Sequence, residues 1–220
     1  MALLKALVIG ATGLIGKQVT AQLLENEHYG QVFLLVRKPV IWQHAKLVVK
    51  VVDFSLPNWV DNIPPADAVF CCIGTTMQQV GGNKTLYEQI DLGIPLAVAA
   101  RTKQLAYSQF LLVSSIGANA SARNFYLQLK GRLENALIEY HFESLHVFRP
   151  SFLVGDRGSF RPGEKIATII FKWLSVFFIG ALNKYKPIQD RVVARSMLVN
   201  SLQSQKGLYF HYYQQMTNIT

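Results

Sequence analysis

Acidic residues, cysteines and basic runs are all scarce in this chain, and each scarcity removes a class of function. Of 220 residues only 13 are Asp or Glu, against 22 Lys or Arg, which leaves a formal net charge of +9. Such an excess suggests nucleic acid. Yet the cations are scattered, no three stand together, and no helix-turn-helix, zinc or RNP pattern occurs. A basic surface with a pocket for a phosphorylated cofactor accounts for the charge, and no nucleic acid is expected. The only cysteines are the neighbours Cys71 and Cys72, which cannot close a useful loop. Without a CxxC or Cys/His cluster no metal site is expected, and the thiols point to a reducing compartment. The opening MALLKALVIG runs straight to Gly10, leaving no room for a cleavable signal, so the expected location is cytoplasmic. Only one long apolar run occurs, Ile166 to Leu182, and Lys172 interrupts it. A bilayer span needs ~20 apolar residues, so a helix over a cleft mouth or in a contact surface is expected, with peripheral membrane contact through 166–182 left open. The five histidines (28, 44, 141, 146 and 211) form no cluster in sequence and read as packing or surface residues.

What is present is apolar material, half of the residues, arranged in alternating periods. Strand-like runs at Leu4–Ile9, Val32–Val36, Lys46–Val52, Ala68–Ile73, Phe110–Val113 and Leu145–Phe148 alternate with helical patterns. The helical patterns cover Leu14–Glu25, Lys84–Leu105 and Ala122–Tyr140, with Gly93 and Pro95 expected to break the second. This alternation predicts an α/β fold with a doubly wound parallel sheet, of Rossmann type. A single domain over 1–220 is expected, with 151–220 forming a short substrate-side or lid portion. That portion holds the apolar run, a helix near Arg191–Leu202 and a last strand around Gly207–Tyr212.

The first strand ends in Gly10-Ala11-Thr12-Gly13-Leu14-Ile15-Gly16, and the first helix begins there. Glycines at this place let the chain turn tightly and let backbone amides approach a pyrophosphate, which the helix N-terminus also attracts. A P-loop is excluded, because five residues separate Gly10 from Gly16 and Gln18 stands where Ser or Thr would hold magnesium. The second strand ends in Arg37-Lys38, where an NAD site would place Asp or Glu for the ribose 2′-hydroxyl. A cation there favours a 2′-phosphate, so the expected cofactor is NADP(H). Asp53 and Phe54 follow the third strand and are assigned to the adenine side. Cys72-Ile73-Gly74-Thr75 closes the fourth strand, where small residues suit the ligand crevice.

Ser114-Ser115 closes the fifth strand, and Tyr126 and Lys130 follow on one face of a helix. An ammonium beside a phenol stabilises the phenolate, so Tyr126 could act as acid or base in carbonyl reduction. Ser115 would bond the same substrate oxygen, Lys130 would also hold the nicotinamide ribose, and Ser114 is grouped with the cofactor residues. Of the nine tyrosines only Tyr126 has Lys four residues on.

Taken together, GATGLIG, SSIGA, NFYLQLKG and FRPSFLVGDR resemble the atypical short-chain dehydrogenases. More narrowly they resemble the Tat-interacting-protein oxidoreductase group and its bacterial relatives, over nearly the whole chain. The resemblance implies an NADP-binding loop at Gly10–Gly16, an active-site pair Tyr126 and Lys130, and a nicotinamide side lined by Arg149, Pro150 and Ser151. Ile116 stands where close relatives can carry Lys. The expected function is an NADP(H)-dependent oxidoreductase acting on a small carbonyl or alcohol. The alternative is an NADPH-binding regulatory or redox-sensing interaction protein with little catalysis, for which a protein partner or a second copy of the chain is left open. A nucleotide-sugar epimerase ranks last, because only about 70 residues follow the sixth strand.

Overall fold

A computed structural model describes residues 2–155, 185–203 and 205–219. The expected apolar segment 166–182 lies outside the described residues. Among the described helices none is long and apolar enough to cross a membrane.

The first strand, β1 (Leu4–Ile9), leads into α1 (Leu14–Glu25), within the limits its pattern suggested. β2 (Tyr29–Val36), β3 (Leu47–Val51) and β4 (Ala68–Cys71) follow. A helical stretch then runs through α2 (Lys84–Glu88), a π turn (Gln89–Gly93) and α3 (Ile94–Gln104). β5 (Gln109–Val113), α4 (Phe125–Glu139) and β6 (Ser144–Phe148) complete the alternation. The later part contains the short strands β7 (Leu153–Val154) and β8 (Ile188–Gln189), then α5 (Asp190–Leu202), β9 (Gly207–His211) and α6 (Tyr213–Thr217).

Seven strands form one parallel sheet in the order β3-β2-β1-β4-β5-β6-β9, and β7 pairs with β8 separately. The order reverses direction between β1 and β4, and in such sheets the crevice at the strand ends beside that reversal holds the ligand. Alternate residues of one strand serve opposite faces. Leu7 and Ile9 join Val69, Phe110 and Leu112 in one core, whereas Ala6 and Val8 join Phe70 and Leu111 in the other. Helices cover both faces, so the central strands read as unbroken apolar runs. On α1 the buried side chains Ile15, Val19 and Leu23 recur at helical spacing and pack on the second core. Each such burial contributes roughly 1.5–3 kcal/mol. Within 151–220, α5 packs on α1 and β9 extends the sheet beyond β6.

Two helix readings need correction. Gly93 and Pro95 do not break the long helix: the chain passes through a π turn, in which the Ile94 amide bonds the Gln89 carbonyl, and Pro95 enters the first turn of α3. Proline lacks the amide that would bond the Asp91 carbonyl, and a wider turn just before it absorbs the misfit. Helix α4 begins at Phe125 rather than Ala122, because the Asn124 side chain caps it by accepting from the Leu127 amide at 3.1 Å.

Nor are all histidines ordinary. His146 on β6 and His211 on β9 sit side by side in the sheet, with His146 Nδ1 and His211 Nε2 2.9 Å apart. Ser144 Oγ lies 2.8 Å from His146 Nε2. Burial lowers the pKa of both rings to about 4. Sequence spacing hid the pair because β9 joins β6 only through the parallel register that places His211 opposite Phe148, one pleat on.

Candidate active site

The glycine loop is shaped by close backbone approaches. Gly10 has φ +76°, in the left-handed region, and a Cβ there would lie 2.6 Å from the Cys72 carbonyl and 2.7 Å from the Ile73 nitrogen. A Cβ on Gly16 would stand 2.1 Å from the Gly10 oxygen. Both positions therefore exclude any side chain, for packing reasons that a simple surface turn lacks. Gly13 is the N-cap of α1, with no side-chain cap and no acidic residue in the first turn. The first-turn amides and the positive end of the helix are thus left for an anion. Ala11 and Ile15 are buried beneath the loop, while Thr12 is exposed and Leu14 half-buried at its rim.

Arg37, at the end of β2, lines a cleft of about 760 Å³ together with Asp53, Phe54, Trp59, Gln89 and Ile94. Lys38 is also exposed but is not among the lining residues. The rings of Phe54 and Trp59 pack at 4.8 Å and make one apolar wall. Asp53 accepts from both the hydroxyl and the amide of Ser55, and these bonds hold its carboxyl below the ordinary range. Asp53 therefore serves a local turn and stays charged at the mouth of the cleft.

Helix α4 carries a second group of side chains. Tyr126 is half-buried, Lys130 is 2% exposed and Glu134 is 2% exposed. Their spacing of four residues aligns them on one face. The Lys130 ammonium lies 6.0 Å from the centre of the Tyr126 ring. It donates to the Ile73 carbonyl at 3.1 Å and faces Asp91 Oδ2 at 3.3 Å. Burial opposes a charged Lys130, but the Asp91 carboxylate foremost outweighs it and raises the Lys130 pKa above the ordinary lysine value. The cysteines beside it stay neutral: burial pushes the Cys71 thiol up to about 12 and Cys72 well above its usual value.

Ile73 is where the two groups meet. Its nitrogen abuts Gly10 of the glycine loop, and its carbonyl accepts from Lys130. Gly74, next along, is exposed with open space around it. The Thr75 amide donates to Asp91 Oδ1 at 2.8 Å, and the Thr75 carbonyl accepts from the Tyr87 hydroxyl at 3.0 Å. The segment Cys72–Thr75 is thus held from one side by the glycine loop and from the other by a buried ion pair.

Ser115 follows β5 at the start of a tight turn, where its hydroxyl donates to the Ile116 carbonyl at 3.3 Å. The turn is fastened to α4: the Asn119 amide bonds the Leu127 carbonyl, and a Cβ on Gly131 would lie 2.2 Å from the Ala120 nitrogen. Ser115 and Tyr126 thereby belong to one packed unit. Its neighbour Ser114 is buried and donates a short bond to Glu134. Arg149 holds Glu134 by two bonds, and its other arm donates to the Tyr212 hydroxyl at 2.7 Å. Its guanidinium lies over the Phe210 ring as well, 4.5 Å from the centroid. The Pro150 carbonyl accepts from the Ile116 amide, and the Ser151 hydroxyl donates to the Lys186 carbonyl. So Arg149, Pro150 and Ser151 adjoin the turn after β5, but Arg149 faces Glu134 and Tyr212.

Asp91 and Glu134 were missed by sequence reasoning. Each is a carboxylate on the buried face of an apolar helix, with Tyr87 and Leu92 beside Asp91 and Leu133 and Leu137 beside Glu134. A charge at such a place demands a partner, and that was the readable signal. Gly131 in the middle of α4 was another, since an interior glycine weakens a helix and often marks a close approach.

The chain has relatives among known proteins. Protein FMP52, mitochondrial, of Eremothecium gossypii is 32% identical over 169 residues, covering 76% of this chain and 75% of its own length. The same-named protein of Meyerozyma guilliermondii is 30% identical over 93% of this chain and 88% of its own. Protein HTATIP2 of Rattus norvegicus is 33% identical over 80% of this chain and 70% of its own, in keeping with the Tat-interacting-protein resemblance. Among solved structures, MoeE5 in complex with UDP-glucuronic acid and NAD superposes with a TM-score of 0.71 at 15% identity, over 94% of this chain and 75% of that one. That likeness speaks for the fold. The expected cytoplasmic location is overturned, because the FMP52 relatives are mitochondrial proteins. The argument failed because neither the reading of the first ten residues nor the two free thiols, Cys71 and Cys72, gives an address: the thiols report only a reducing environment. Residues 10–153 match the NAD(P)H-binding family, and with its seven-stranded Rossmann sheet, its closely packed glycine loop and its FMP52 and HTATIP2 relatives, the chain belongs to that family of oxidoreductase-like nucleotide-binding proteins.

Proposed function

We propose that the protein is an NADP(H)-dependent oxidoreductase of the short-chain dehydrogenase/reductase kind, acting on a small carbonyl or alcohol with Tyr126 as acid and base. The observation that carries this reading is the meeting at Ile73: one residue touches the glycine loop through its nitrogen and the Tyr126–Lys130 pair through its carbonyl. A cofactor lying along the loop is therefore led toward the pair.

The residues present fit such a cofactor. The cradle at Gly10 and Gly16 leaves room only for backbone, and the uncapped start of α1 offers amides to a pyrophosphate. Asp53, Phe54 and Arg37 would bound the adenosine end, with Arg37 supplying the charge that a 2′-phosphate needs. Lys38 would add to the local positive field. Cys72, Ile73, Gly74 and Thr75 would line the middle, and Ser114, Arg149, Pro150 and Ser151 would frame the far end. A nicotinamide held there would supply the hydride to the substrate carbon, or take it up in the reverse direction. Tyr126 gives its hydroxyl proton to the substrate oxygen, or takes it back in the reverse direction. Ser115 donates a hydrogen bond to the same oxygen. Lys130 holds the ribose hydroxyls and favours the phenolate that remains after Tyr126 has given its proton. We read the chain as one domain, 1–220, whose 151–220 portion supplies the substrate side.

The test is Tyr126→Phe, with turnover followed through NADPH absorbance over a panel of aldehydes, ketones and quinones. NADPH binding should persist, because the loop, Arg37 and Lys130 remain. Turnover should fall by about 10²–10⁴-fold, the contribution of a positioned acid. Wild-type turnover in the variant would refute the assignment. A regulatory protein would give another pattern, silence at Tyr126 and loss of cofactor-dependent partner binding at Lys130.

A further inference from the structure

We propose that Asp91 is a positioning residue that keeps Lys130 a cation and aimed at the cofactor's ribose. The inference rests on the reading of Lys130 given above.

Asp91 is fully buried at the centre of the π turn, on a different element from Lys130. Such turns are uncommon in helices and recur at functional sites. Its two oxygens have separate tasks. Oδ1 takes the Thr75 amide at 2.8 Å and so fixes the loop after β4. Oδ2 faces the Lys130 ammonium at 3.3 Å and accepts no well-formed hydrogen bond among the described residues. An ammonium has three protons. One goes to the Ile73 carbonyl and one points to Asp91, which leaves one for a ligand hydroxyl.

The other groups around Lys130 cannot stand in for Asp91. Tyr126 precedes it on α4 and offers it a ring, 6.0 Å from the ammonium, and no carboxylate. Cys71 and Cys72 at the end of β4 and Tyr87 on α2 are all held neutral by burial. Glu134, one turn further along α4, is already bound by Arg149 and Ser114. Among the described residues Asp91 is therefore the anion that sustains the charge of Lys130 in a nearly dry site. Structural need alone does not explain the pair, since a buried ion pair is often no more stabilising than apolar residues of the same size. Its position does: it joins the cofactor loop at Thr75 to the side chain that would grip the ribose.

The experiment is calorimetry of NADPH binding from about pH 7 to about pH 9.5, a window below the ordinary lysine pKa. Wild-type affinity should be nearly level across it. Asp91→Asn keeps the shape and removes the charge, so burial should strip the proton from Lys130 as pH rises and weaken binding about tenfold across the window. Lys130→Met should be weak at every pH, and Asp91→Asn with Lys130→Met should show no slope. If Lys130→Met binds NADPH like wild type, the reading of the site fails. If Lys130→Met is weak but Asp91→Asn is level in pH, the present inference fails alone. Should Asp91→Asn not fold, ¹⁵N-lysine spectra of the wild type decide: an ammonium still protonated at about pH 10 supports the pair, and one that titrates near neutrality overturns it.

Discussion

Acidification should destabilise this protein through two buried rings. His146 is fully buried and His211 is 7% exposed, and each has its pKa lowered from 6.5 to about 4 by burial. The bonds from Ser144 to His146 and from His146 to His211 can be made by two neutral rings of complementary tautomers, one presenting an N–H and the other a bare nitrogen across the shared contact. In the unfolded chain both rings bind protons near their ordinary pKa, so the folded state takes up fewer protons below it. The stabilising contribution is therefore complete above about pH 6.5 and is lost as pH falls toward about 4. The full shift corresponds to roughly 3 kcal/mol per ring. Between about pH 7 and about pH 5 each ring should give up roughly 2 kcal/mol, and the pair roughly 3–4 kcal/mol. For a chain of this length that is a fall in Tm on the order of 10 °C. Urea unfolding at both pH values gives the free energies directly. Replacing both rings by Gln should remove most of the difference between the two pH values, even if the variant is less stable throughout. An equal fall in wild type and double variant would refute the reasoning.

Two further outcomes follow from the cofactor side. Gly16→Ala puts a methyl 2.1 Å from the Gly10 oxygen, so it should destroy NADPH binding and lower Tm, whereas Gly74→Ala meets no atom within 4 Å and should leave the fold intact. Arg37→Ala should weaken NADPH by about 1–3 kcal/mol and leave NADH nearly unchanged, measured by calorimetry. Equal affinity of the wild type for both cofactors would remove the NADP(H) preference.

The fold was legible because its signals are local. Leu4–Ile9, the glycine loop and Leu14–Glu25 lie within one short stretch, and their periods, punctuation and spacing define strand, turn and helix without reference to anything distant. The pair Tyr126 and Lys130 was legible for the same reason, being neighbours on one helix face. What periodicity gives is the side of an element that turns inward, not the residue it meets there. Asp91 against Lys130, Glu134 against Arg149 and His146 against His211 are each contacts between different elements. The π turn was also out of reach, since Gly93 and Pro95 are equally good marks of a broken helix, and only the packed structure decides between a break and a widened turn.

Those distant contacts explain how a single helix can hold the Tyr126 phenol in place. Tyr126, Lys130 and Glu134 occupy one stripe of α4, and the two inner members are bound from opposite sides. Lys130 is held by Asp91 and the Ile73 carbonyl, that is, by the long helix and the end of β4. Glu134 is held by Ser114 and Arg149, the residues that follow β5 and β6, with Tyr212 behind Arg149. Each clamp is buried, so neither can be released without leaving a charge unpaired away from water, at a cost of about 3–5 kcal/mol. Rotation or sliding of α4 would break both at once. The outermost member, Tyr126, is only half-buried and lies at the N-terminal end of the same stripe. A helix pinned at its second and third positions leaves the first fixed in space yet open to a ligand, which is the geometry that proton transfer to a substrate oxygen demands.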